Sequence, residues 1–223
     1  MSNMFSYENL IFIVKGAGIS LLIATFSLIF GVLIGYFVSQ MRLSDKKISR
    51  VLANIFTEVI RGTPMLLQLM FFYLVVPYLY LQVFGKGLDV SPIVLSIIEI
   101  SINSGAYISE LFRSTIISID KGQMEAGKAL GLSKKVIFKQ IIMPQAMIRM
   151  IIPLANEYVT LIKDSSLGSA IGVVELLQAS KIIGSIHYNY VYPLLGAGVM
   201  YLLMTLVVSF ITRQLEGKYL FNA

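Results

Sequence analysis

Residues 120–144, DKGQMEAGKALGLSKKVIFKQIIMP, decide how the rest of the chain is read. They form the longest polar, basic interruption in an otherwise apolar sequence. The pattern predicts two short helices separated by Gly131 and Leu132. Gly131 suits the left-handed conformation that closes a helix, and Ser133 can cap the next one. A polar helix–turn–helix between membrane spans cannot lie in hydrocarbon, where unpaired polar groups find no partners. It must lie in water or against another protein.

Composition sets the class. Of 223 residues, 57% are hydrophobic and only 13% charged, and the mean hydropathy is +0.80. A chain with so little polar surface cannot cover a water-soluble globule, so membrane integration follows. The formal net charge of +6 does not indicate nucleic acid, because the basic residues cluster in loops beside apolar runs, as cytoplasmic loops do. The absence of cysteine excludes disulfide and thiolate chemistry. The N-terminal run MSNMFSYENLIFIVKGAG lacks the basic start and small-residue cleavage site of a signal peptide and is expected to be retained.

The fold class expected is an all-α membrane protein, one transmembrane domain over residues 1–223 with five spans of about 20 residues or more. These fall at about 18–41, 53–84, 92–119, 145–162 and 190–212, with 120–144 as the loop between the third and fourth. Gly31 and Gly35 offer a close-packing face on the first. Thr63-Pro64 marks a bend or restart in the second, and Pro153 a kink in the fourth. The segment 166–183 is expected to be re-entrant or interfacial rather than a sixth span. The basic residues Arg42, Lys46, Lys47 and Arg50, the lysines of 121–139, and the tail with Arg213 and Lys218 then share the cytoplasmic side. This puts the N-terminus outside and the C-terminus in the cytoplasm.

The spaced motif EAG-x3-G-x9-I-x-M-P, from Glu125 through Gly131 and Ile141 to Pro144, resembles the EAA loop of permease subunits in ATP-binding-cassette importers. RGTP at 61–64, GAYxSExxR at 105–113, GQxEAG at 122–127 and KDSSL at 163–167 are similar to the polar amino acid branch of that family. The chain departs from the commonest pattern at Gly127, usually alanine, and at Met143, usually leucine. The resemblance implies a type I importer fold in a bacterial inner membrane. It also implies a second permease subunit (a homodimer, or a pair with a paralogue), two copies of a cytoplasmic ATPase and an extracytoplasmic amino-acid-binding protein. The chain itself has no GxxxxGK[ST] phosphate loop, so ATP and Mg belong to the ATPase, and this subunit is a non-catalytic one without a cofactor of its own. In this reading Glu125, Ala126, Gly127, Leu130, Gly131 and Leu132 couple the loop to the ATPase, with Lys134, Lys135 and Lys139 as a polar rim. The other reading is an amphipathic loop lying on lipid headgroups.

Ionisable residues inside spans are costly and mark function. Glu99, Asn103, Tyr107 and Glu110 recur at intervals of four, four and three, so they share one helix face. The fourth span offers Asn156, Glu157 and Thr160, and the second offers Gln68. Glu99 and Glu157, aided by Asn103 and Gln68, are expected to bind a cationic amino acid, because a guanidinium or ammonium entering low dielectric needs an opposing carboxylate. Alternatively Glu99 pairs with an internal lysine or arginine, such as Lys163, or is protonated, or the substrate is glutamine or another polar amino acid. Glu110 with Arg113 reads as structural. Lys163 and Asp164, at the outer end of the fourth span, suggest a gate or a contact with the binding protein, and Ser165 a solvated helix terminus. His187 lacks companions for a metal site, and Tyr188, Tyr190 and Tyr192 suit an interfacial belt. Two other classes compete: an ion-coupled secondary transporter, which usually shows an internal repeat, and a structural membrane subunit without a pathway.

Overall fold

Small residues place the first helix. In α1 (Tyr7–Arg42), Gly16, Ser20, Ala24, Ser27, Gly31 and Gly35 are all buried, and their spacing of three or four puts them on one stripe. That stripe lies against α5 (Pro92–Ile117), the most buried of the long helices, and at its start against the short α9 (Leu176–Ile186). The structure is a computed structural model and describes residues 6–219. Residues 1–5, the start of the N-terminal run expected to be retained, and the side chain of Lys218 lie outside the described residues.

The α1–α5 contact is set by two glycines, each receiving a branched side chain from the other helix. A Cβ on Gly105 would stand 2.5 Å from Ile34 Cγ2, and one on Gly35 would stand 2.7 Å from Ile108 Cγ2. Neither isoleucine can swing away without leaving its packed position. Gly105→Ala is therefore expected to destabilise the folded protein by about 1–3 kcal/mol, read as a lower thermal unfolding midpoint in detergent. An unchanged midpoint would contradict this packing.

The remaining elements are α2 (Lys47–Gly62), α3 (Met65–Met70), α4 (Val76–Phe84), α6 (Lys121–Ala129), α7 (Lys134–Ile137), α8 (Met143–Asp164) and α10 (Val191–Tyr219). Among the described residues there is no strand. Among the described residues five helical runs are long and apolar enough to cross a membrane: Tyr7–Arg42, Met65–Phe84, Pro92–Ile117, Lys134–Ile171 and Val191–Glu216. One core, built on Ile23, Leu69, Ile100, Leu161 and Ile171, ties α1, α3, α5 and α8 together.

Several boundaries differ from those expected. α1 starts at Tyr7 rather than near residue 18, because Ser6 Oγ accepts from Asn9 N at 3.3 Å and Gly16 packs under Glu175 and Ala179 instead of ending a helix. The restart expected at Thr63-Pro64 separates α2, ending at Gly62, from the crossing, which starts at Met65 rather than at 53. The fourth run begins at Lys134, ten residues before Pro144. α7 passes through a π-turn, Phe138–Ile142, straight into α8. Pro144 lacks an N–H and would crowd the carbonyl four residues back in a regular helix; the π-turn opens the spiral just before it. The same device, Phe71–Val75, precedes Pro77 and joins α3 to α4. α8 continues through Pro153.

The segment after α8 is a 3-10 turn, Ser165–Ile171, followed by α9 of 11 residues. At about 1.5 Å per residue α9 is too short to cross a bilayer. It is instead pinned by Glu175, whose carboxylate caps it through Leu177 N and Gln178 N, both at 2.8 Å. The same group accepts from Tyr201 OH of α10 at 2.8 Å and from Ser20 Oγ of α1 at 3.4 Å.

Candidate functional site

The break between α2 and α3 exposes carbonyls that a continuous helix would satisfy. Gln68 supplies the missing donor: its Nε2 reaches Ile60 O at 2.8 Å, Thr63 O at 3.2 Å and Thr63 Oγ1 at 2.6 Å. Thr63 Oγ1 in turn donates to Val59 O at 2.9 Å. Gln68 Oε1 accepts from Asn103 Nδ2 of α5 at 3.0 Å. Both ends of the Gln68 amide are thus used to fix the break against α5, so Gln68 positions the site rather than offering a free ligand group to it.

This clamp borders a cavity of about 310 Å³ between the break, α5 and α8. Asn103, Tyr107, Glu157 and Thr160 line it, together with Thr63, Met65, Leu161, Asp164 and Leu167. Glu157 Oε1 accepts from Ser104 Oγ at 2.8 Å, which leaves its other oxygen without a bond inside the described chain. The cavity wall carries carboxylates and neutral polar groups, and no lysine or arginine.

Besides Gln68, two expected ligands stand differently. Glu99 is 1% exposed and lies outside the cavity wall. Neither of its carboxylate oxygens has a hydrogen-bond partner, and the same holds for Ser96 Oγ one turn earlier. Lys163 is exposed and makes no ion pair with Glu99, so the internal pairing suggested for Glu99 is not made. A carboxyl group held this deep without a partner costs several kcal/mol if ionised, by order of magnitude, and calls for a proton or an incoming cation. Asn156 is exposed and off the wall. Adjacent helix residues point about 100° apart, so Glu157 turns inward while Asn156 does not. Asp164, expected at an outer gate or a contact with the binding protein, lines the cavity. Residues 157, 160 and 164 share a helix face, a spacing that would have placed it there.

A larger groove of about 520 Å³ runs between α1 and α5, walled by Leu22, Phe26, Phe30, Ile98 and their neighbours. It presents hydrocarbon almost throughout, so a polar solute has nothing to bind there. Away from the cavity, Glu110 joins Arg42 at 2.5 Å and Arg113 at 2.5 Å, and Arg42 Nε donates to Asn54 Oδ1 at 2.9 Å. This cluster ties α1, α2 and α5 and is structural.

The polar stretch after α5 forms a tight, self-supported corner. Asp120 caps α6 through Gly122 N at 2.6 Å. Its end is closed by paired bonds, Leu132 N to Gly127 O at 3.0 Å and Gly131 N to Lys128 O at 2.9 Å, with Gly131 at φ +76°. This is the two-bond closure that a left-handed glycine allows. Gly127 is buried, and a Cβ there would meet Ile137 Cγ1 at 2.7 Å. It is therefore a packing seat for α7 rather than a contact surface, which explains why glycine stands where alanine is usual. Glu125, Ala126, Leu130 and Leu132 are exposed, Leu130 by 79%. Ile119, Ile137, Ile142 and Ala146 form the small core beneath them.

The family described as binding-protein-dependent transport system inner membrane component matches residues 8–220. The chain belongs to this family. Among its relatives, this transport component is 39% identical over 206 residues to the glutamine transport system permease protein GlnP of Escherichia coli K12, covering 92% of both chains. It is 37% identical over 216 residues to a putative GlnP of Rickettsia conorii, covering 97% of this chain and 96% of that one. In structure it is similar to an amino acid ABC transporter crystallised with histidines, with a TM-score of 0.85, 31% identity, and coverage of 93% of this chain and 94% of that chain. It also shares its fold with the inward-facing MetNI methionine ABC transporter, at a TM-score of 0.76 and 18% identity.

Proposed function

We propose that this membrane component is the permease subunit of an ATP-driven amino acid importer, and that its cavity takes amino acids with a basic side chain. The observation that carries the substrate class is charge: Glu157 and Asp164 line one polar cavity with no cationic side chain in its wall. Behind them Glu99 is buried with both oxygens unpartnered. A zwitterion brings one ammonium; a basic side chain brings a second cation, which suits the second and third carboxyl groups. A second reading, glutamine, is favoured by the names of the curated relatives, and Asn103 and Thr160 offer partners for an amide.

ATP is supplied by a partner, since the sequence holds no phosphate loop. The exposed rim of Glu125, Ala126, Leu130 and Leu132 is the surface that a cytoplasmic ATPase would grip. Because α7 continues into α8, a push on this corner acts on the helix that carries Glu157 and Asp164. Nucleotide binding must then favour one orientation of the cavity over the other, by the difference in its affinity for the two states. A homodimer with two ATPases and an extracytoplasmic binding protein completes the assembly, in an inner membrane with the corner in the cytoplasm.

Competition settles the substrate. In proteoliposomes with the complete importer, unlabelled arginine, lysine and histidine are expected to suppress uptake of labelled arginine more strongly than glutamine does. Stronger suppression by glutamine would move the assignment to the second reading.

A further inference from the structure

The RGTP segment at 61–64 closes α2 and leaves a charge beside the cavity. Arg61 stands at the end of α2 with its guanidinium carbon 5.0 Å from the centroid of the Tyr107 ring. Tyr107 lines the cavity, as does Thr63, two residues further along the chain. Among the described residues Arg61 makes no ion pair, and its side chain is exposed. Its position is fixed from several sides. The ring attracts it through the cation–π interaction, the carbonyl end of α2 favours a cation, and the Gln68 clamp holds the backbone just beyond it.

We infer that Arg61 is the residue that receives the α-carboxylate of the transported amino acid, the counterpart of the carboxylates on α8 that receive its cationic groups. The inference rests on the reading that the cavity takes an amino acid. A guanidinium offers two parallel N–H donors matched to a carboxylate, and Arg61 has those donors unengaged by any carboxylate of its own chain. Arg61 thus sets a positive charge beside the α2–α3 end of the cavity, just outside its wall, while the α8 side of the wall carries the negative. A dipolar solute is held in one orientation, and an amine lacking the carboxylate loses one of its two anchors. Arg61 is in this way a selector for the acid group, independent of which side chain the site prefers.

The test compares ligands that differ only in that carboxylate, on the purified permease–ATPase complex without the binding protein, by calorimetry. The pairs are L-arginine against agmatine and L-glutamine against 4-aminobutanamide. The wild-type complex is expected to bind the amino acid about 10- to 100-fold more tightly than its amine, the range of a charge-assisted pair. Arg61→Gln is expected to bring the two within a few-fold by weakening the amino acid alone, while Arg61→Lys, which keeps the charge without the fork, gives an intermediate ratio. A ratio that Arg61→Gln leaves unchanged, or equal weakening of acid and amine, overturns the inference while the cavity reading stands. Wild-type complex that binds neither pair at millimolar concentration overturns the cavity reading and this inference with it.

Discussion

Replacing Gly131 with valine is expected to reduce ATP-driven uptake by at least about tenfold while the protein still inserts and purifies at normal yield. The cause is local and can be separated from packing. A Cβ on Gly131 would meet nothing within 4 Å, so space is not the obstacle. The backbone is, at φ +76°, where an L residue costs roughly 1–2 kcal/mol and a β-branched one fares worst. Relieving that strain breaks the paired bonds at Gly127 O and Lys128 O and swings α6 away from the α7–α8 run. The membrane core, built on residues such as Ile100 and Leu161, is untouched, so insertion survives. Gly131→Asn serves as the control, because asparagine tolerates the left-handed region; it is expected to retain most of the uptake. Normal coupling of ATP hydrolysis to uptake in Gly131→Val would remove the corner from the mechanism.

Glu99→Gln is expected to weaken arginine and lysine by about tenfold, through the negative charge it removes from behind the cavity wall rather than through a direct bond to the solute, with glutamine affected far less. The substitution keeps the side chain's size, and Glu99 has no hydrogen bond within the chain to lose, so a loss confined to cationic substrates reports charge rather than folding. Equal loss for glutamine would mark Glu99 as a structural group, and undiminished arginine and lysine uptake would take it out of the site.

The spans are legible in the sequence because each needs only a long apolar window, and a membrane makes helix the one economical choice for it. Less legible are the joints. Pro144 reads as a boundary because proline usually ends helices, but a π-turn absorbs it, and the run from Lys134 to Ile171 is one body. That continuity turns the loop from a linker into an extension of α8. Helical spacing found Asn103, Tyr107, Glu157 and Thr160, since one face of a helix can be counted without a structure. Counting fails where the environment decides. Gln68 goes to the carbonyls freed at the Thr63-Pro64 break, and Asn156 turns outward. Glu99 lies one turn from Asn103, where the Ser165–Ile171 segment packs on α5 and a Cβ on Gly168 would stand 3.3 Å from Ser96 Oγ. That cover comes from a segment more than sixty residues away in sequence, and no local pattern announces it.

Nucleotide hydrolysis by a partner chain is expected to drive solute through this cavity. The direct measurement is uptake of labelled arginine into proteoliposomes holding the permease, its co-purified ATPase and the binding protein, with ATP inside and no ion gradient. Accumulation is expected to require ATP, to be accompanied by arginine-stimulated hydrolysis, and to fall in Gly131→Val and Glu99→Gln alike. Accumulation that needs an ion gradient instead of ATP, or purification without any ATPase subunit, would contradict this.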